Sequence, residues 1–191
     1  MEIKRPKSKQ PIPEHAKKVF EGVIFDVYQW EQEQFDGSKA TFEKLKRPDT
    51  ADVIAVTEQK EVVLTKQKFP GRKEFIGLPG GRIDDNEKPI VAAKRELLEE
   101  TGYVASEINL WYAYRPMEKI DWVIYIFIAK GCKRNEKPNP DPGEKIMIET
   151  VTIDEFIEMA TSDNFRDVEL TQKLIKMKLD HKINKFKRLL K

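Results

Sequence analysis

The sequence predicts an α/β fold in which a mixed sheet is sandwiched between helices and preceded by an antiparallel β-ribbon. Three observations predict it. Apolar runs such as VIAV (53 to 56) and WVIYIFIA (122 to 129) have strand length. EKPIVAAKRELLEETG (87 to 102), between them, has the composition of a helix. Helical patterns return in the last quarter of the chain.

Each element follows in order. Residues 1 to 18 hold several prolines and scattered charge, which predicts an extended arm. GVIFDVYQWEQEQF (22 to 35), the turn pair Asp36-Gly37 and ATFEKLKR (40 to 47) predict a two-stranded ribbon within 19 to 48. VIAV and EVVLTKQ form two further strands, with a turn around Glu58 to Lys60. Pro89 in the first turn and Gly102 at the end bracket the firmest helix. INLWYAYR and DWVIYIFIAK (121 to 130) read as strands, the second apolar enough to be covered on both faces. After the loop EKPNPDPGEK (136 to 145), IMIETVT is a short strand, and IDEFIEMA and VELTQKLIKMKL are helices.

Charge excludes some functions. With 35 basic and 33 acidic residues the net charge is +2, so the chain lacks the global field of a typical nucleic-acid binder. Basic residues collect at the N-terminus and toward the end, where a solvated helix face is the ordinary reading and polyanion contact the sharper one. Residues 181–191 are expected as a basic tail. Cys132 is the only cysteine, which excludes an internal disulfide and suits a reducing cytoplasm. No apolar stretch approaches the roughly 20 residues needed to span a bilayer, so no membrane association is expected.

The chemistry concentrates in GRIDDNEKPIVAAKRELLEETGY, with Gly81, Glu87, Arg95, Glu96, Glu99, Glu100 and Gly102 at fixed offsets. Residues three and four apart share a helix face, so Glu96, Glu99 and Glu100 crowd together and repel. Arg95 reaches Glu99 one turn on and Glu87 two turns back, which balances part of this charge. The remaining carboxylates call for a cation. Oxygen ligands without histidine or cysteine select Mg²⁺ or Mn²⁺ over zinc, and such ions complete their shells with water and substrate phosphates. Gly80 and Gly81 let backbone groups approach a metal or phosphate directly.

This segment resembles the signature of the Nudix hydrolase family at every fixed position, with Tyr103 in a final slot that is usually aliphatic. A chance match of this kind is on the order of one in 10⁸ per starting point. The resemblance implies an α/β/α sandwich, with the hydrolase domain over 49–180, and hydrolysis of a nucleoside diphosphate linked to another moiety. It implies Glu96 and Glu100 as main metal ligands, Glu99 as a further ligand or base, the Gly80 carbonyl as a ligand, and Glu87 and Arg95 as groups that orient the carboxylates.

Residues 20 to 180 also resemble the ADP-ribose pyrophosphatase group, through the hairpin, KQKF, LPGGRID and the helix-strand tail. The resemblance implies ADP-ribose as substrate, other nucleoside diphosphate sugars close behind, a dimer through the N-terminal ribbons, and a glutamate base in the loop after the last long strand. Glu144 is the candidate, with a solvated loop carboxylate as the alternative. Two departures bear on the substrate: Pro70 and Gly71 separate Phe69 from Arg72, and Gly77 precedes Leu78. Phe69 and Arg72 are substrate-binding candidates.

Elsewhere, Tyr28 could stack on a base or pack the sheet. Arg115, at a strand end, could grip a diphosphate bidentately. His15 and His181 read as surface residues. Two rival functions stand beside the enzyme: hydrolysis of capped or triphosphorylated RNA, and a non-catalytic module that senses a nucleotide.

Overall fold

The computed structural model describes residues 3–140 and 142–191, so the arm is seen from Ile3, and Met1, Glu2 and Asp141 lie outside the described residues. Residues 3 to 16 form neither helix nor strand. The elements that follow are β1 (Lys17–Phe20), β2 (Asp26–Glu33), β3 (Lys39–Lys46), β4 (Thr50–Thr57), β5 (Glu61–Lys68), β6 (Phe75–Gly77), β7 (Gly80–Arg82), α1 (Pro89–Thr101), β8 (Tyr103–Val104), β9 (Glu107–Tyr114), β10 (Ile120–Asp121), β11 (Ile124–Arg134), β12 (Lys145–Thr152), α2 (Ile153–Met159), α3 (Val168–Leu179) and α4 (Ile183–Leu190).

The main sheet runs β12-β5-β4-β11-β8, with β6 on β5, β7 on β4 and β9 on β11. It is mixed: β4 and β11 are parallel, and the other pairings are antiparallel. Alternation along β11 explains its continuous apolar sequence. Ile124, Ile126 and Ile128 join one core with Phe156, Leu170, Leu174 and Phe186, while Tyr125, Phe127 and Ala129 join another with Ala92, Ala93 and Leu97. Side chains with period two therefore face α1 on one side and α2 to α4 on the other. The α/β/α sandwich is as expected from the sequence.

The ribbon pairs β2 with β3 from Asp26↔Lys46 to Glu33↔Lys39, and β1 and β10 widen it to four strands. The arm is pinned to it. Lys44 is buried, and its Nζ donates to Ser8 Oγ at 3.1 Å and to the Gln10 carbonyl at 2.6 Å. Arg5 donates bidentately to Asp49, at 2.7 and 2.8 Å, where β4 begins.

The segment 181–191, expected as a basic tail, folds over Ile183–Leu190 into α4. Phe186 and Leu190, one turn apart on one face, are buried, and the Phe186 ring lies 4.8 Å from that of Trp111. Burial of that face outweighs the solvation of the basic face. Among the described residues no helix is long and apolar enough to cross a membrane.

Candidate active site

The site forms where β7 turns into α1. α1 stops where Gly102 takes a left-handed conformation (φ 72°) and its N–H closes on the Leu98 carbonyl at 2.7 Å. That fixes the orientation of the last turns, which carry the carboxylates.

Arg95 is the hub. It donates to both oxygens of Glu87 at 3.1 and 3.0 Å, to Glu96 at 2.8 Å, to Glu99 at 3.1 Å and to the Arg82 carbonyl at 2.9 Å. Glu87 also accepts the Asp84 N–H at 3.0 Å, so it ties the preceding loop to the helix. The Arg95 contacts hold the Glu87 carboxyl below its ordinary range. Glu96 goes the other way, raised by burial against the pull of Arg95.

Glu100 is buried at the floor. Gln67 Nε2 donates to its Oε1 at 3.0 Å and the Gly80 N–H to its Oε2 at 2.9 Å. Burial still pushes its pKa up to about 8; the Gly80 N–H opposes this, Glu96 and Glu144 add to it, and Arg166 opposes it. Gly80 is held in turn by the loop before it, where Leu78 N–H donates to Asp167 at 3.0 Å.

These groups share a cleft of about 700 Å³ with an acidic wall of Glu96, Glu99, Glu100 and Glu144. Arg47, Arg72, Arg82 and Arg166 line the rest, with Phe25, Phe69 and Pro140 among the neighbours. Of the residues singled out in the sequence, the structure brings Gly80, Arg95, Glu96, Glu99, Glu100, Glu144, Phe69 and Arg72 to this one cleft. Tyr28 lines a separate depression with Arg5 and Lys46. Arg115 is not free for a diphosphate: its guanidinium is taken by Asp121 and the Pro6 carbonyl.

Sequence reasoning missed Arg47, Gln67 and Arg166. Gln67 carried a usable signal, a polar residue with Thr65 on the inward positions of an otherwise apolar strand; both are buried. Arg166 carried none. It reaches the cleft from the turn before α3, where its guanidinium lies 4.9 Å from the Phe75 ring centre and donates to Gln67 Oε1 at 3.3 Å.

The donors suit a hard divalent cation. Among the described residues no three acidic, histidine or cysteine side chains converge as a closed cage, because Arg95 engages Glu96 and Glu99 while Glu100 faces Gln67 and Gly80. Glu96 is part-buried and raised by burial, and Glu100 is buried and raised by burial with Glu96 adding to it, so positive charge is favoured between them. Gly81 adds a steric sign, since any Cβ there would run into the Glu96 carboxylate.

Comparison with known proteins agrees. The NUDIX domain matches residues 46–174. ADP-ribose pyrophosphatase from Bacillus subtilis (strain 168) is 28% identical over 154 residues, 79% of this chain and 83% of that protein. The methanol dehydrogenase activator of Bacillus methanolicus is 27% identical over 146 residues, 75% of this chain and 79% of its own. The crystal structure of an ADP compounds hydrolase shares the fold, with a TM-score of 0.69 at 16% identity over 93% of this chain and 99% of that one. The glycine-led helix of carboxylates, the sandwich that carries it and a matched domain spanning most of the sequence lead to one assignment: the chain belongs to the NUDIX family, among its pyrophosphohydrolases.

Proposed function

We propose that the chain hydrolyses the pyrophosphate bond of a nucleoside diphosphate linked to another moiety, with ADP-ribose, cleaved to AMP and ribose 5-phosphate, as first substrate. One observation carries this reading: the acidic wall of Glu96, Glu99, Glu100 and Glu144 lines the same cleft as Arg47, Arg72, Arg82 and Arg166. Such a cleft can take a diphosphate and a cation together. The name of the B. subtilis relative supports ADP-ribose.

Glu96, Glu99, Glu100 and the Gly80 carbonyl would hold Mg²⁺ or Mn²⁺, which lowers the pKa of a bound water and polarises the bridging phosphates. Arg95 and Glu87 orient these carboxylates. Glu144 is the proposed base that takes the proton of the attacking water, with Glu99 the other candidate. Arg72, Arg47 and Arg166 bind the diphosphate oxygens, and Phe69 packs on the moiety beyond them.

A homodimer through the ribbon belongs to the same proposal. Val19, Phe20, Val23, Ile24 and Phe25 are exposed together, and Ile24 and Phe25 border the cleft. A second ribbon would cover that apolar surface. Light scattering should give twice the chain mass; a monomer would reject the dimer. A cytoplasmic location belongs to the same proposal, in keeping with a single cysteine that forms no disulfide within the chain.

A panel of nucleoside diphosphate compounds with added Mg²⁺, its products separated by chromatography, tests the substrate. ADP-ribose should turn over fastest and yield AMP. Preference for capped RNA or for an unrelated diphosphate sugar would remove that choice.

A further inference from the structure

Away from the cleft, α3 and α4 meet over β9 and leave a groove of about 780 Å³. Its apolar side is Trp111, Phe186 and Met177, with the Trp111 and Phe186 rings 4.8 Å apart. Its rim is basic. Lys176, Lys185 and Arg188 line it, and none of the three makes an ion pair among the described residues. Lys173 also lines the groove, with Nζ 4.2 Å from the Tyr112 ring centre. The one acidic residue in the lining, Asp180, is paired with Lys182 at 3.2 Å.

Like charges at this density repel one another, and among the described residues no carboxylate forms an ion pair with Lys176, Lys185 or Arg188. An anion would. Volume and composition fit a small ligand, since such pockets run to several hundred Å³ with an apolar lining and a few charged groups. A polymer fits less well. Lys187 on the same helix is tied to Asp154, and the net charge of the chain is only +2, so the positive field is local and forms no track for a long polyanion.

We propose that the groove between α3 and α4 is a second binding site, for a small anion that carries a planar ring, with a nucleoside phosphate as the chemical class. The ring packs on Trp111, Met177 and Leu189, over the buried Phe186, and the phosphate is held by Lys176, Lys185 and Arg188. This site is independent of the cleft and of the reaction proposed there.

The test is equilibrium binding of AMP to the full chain in chelator and low salt, followed by tryptophan fluorescence and by dialysis. AMP should still bind to Arg72→Glu, in which the cleft's own hold on a nucleotide phosphate is weakened. It should bind roughly tenfold more weakly or worse to Lys176→Glu/Arg188→Glu, the scale of a lost charge-assisted contact. Circular dichroism should show that this exposed double variant stays folded. Trp111→Phe should abolish the fluorescence change while dialysis still detects AMP. Inorganic phosphate and adenosine, each lacking half of the ligand, should both bind more weakly than AMP. Absence of AMP binding, indifference to the charge reversals, or phosphate binding as tightly as AMP would overturn the proposal. So would RNA oligonucleotides binding more tightly as they lengthen, with a steep salt dependence.

Discussion

Gln67 donates its amide N–H to Glu100 at 3.0 Å, and the same side chain accepts from Arg166 at 3.3 Å. Its other donor bond goes to Thr65 Oγ1 at 3.0 Å, so the amide has one orientation and Glu100 is aimed by it. Replacing Gln67 with leucine removes the link between the basic and acidic sides of the cleft. Turnover should fall about tenfold to a hundredfold, as for other groups that orient metal-binding carboxylates. Kinetics should show this mainly in kcat, and titration calorimetry should show weaker Mn²⁺ binding.

Glu100 gives the metal-free protein a pH dependence. Its pKa rises from 4.5 to about 8 on folding, chiefly through burial. Below 4.5 the group is protonated in both states and the stability linked to its neutral form is fully present. That stability is lost as pH rises through about 8, where the buried carboxylate must ionise. In chelator, the melting temperature should fall between about pH 5 and pH 8 and level off above, and Glu100→Gln should flatten the slope. An unchanged slope in the variant would assign it to other groups.

Gly81→Ala separates geometry from stability. A Cβ there meets the Glu96 carboxylate, the far end of a flexible side chain, which can swing aside while the fold stays intact. Activity should drop on the order of a hundredfold, the scale of a displaced catalytic group. The urea midpoint should hold.

Phe186→Ala tests whether α4 is integral. Phe186 is 1% exposed and packs on Trp111, so its truncation leaves a cavity under α4. A loss of about 3 to 5 kcal/mol is expected in denaturant unfolding. A loss below about 1 kcal/mol would mean that α4 rests loosely on the sheet.

Much of this was legible in the sequence because it is local. The offsets of Glu96, Glu99 and Glu100 and the glycine that ends α1 lie within one helix, and helix periodicity alone places them. The Arg166 to Gln67 bond spans 99 residues and exists only once α3 docks on the sheet. Arg115 looked available at a strand end, yet the arm lays the Pro6 carbonyl against it and β10 supplies Asp121. The burial of Phe186 and Leu190 was hidden by the lysines around them, since a charged stretch with a few apolar residues reads equally as a solvated tail.

On the proposed function, the carboxylates of α1, with Glu100 first, hold the cation that drives hydrolysis. Side-by-side measurement of Mn²⁺ binding by electron paramagnetic resonance and of ADP-ribose turnover, in the native chain and in Glu100→Gln, tests it most directly. Both should be lost together in a variant that keeps its circular dichroism spectrum and melts cooperatively. Turnover retained by Glu100→Gln at the native rate would contradict the account.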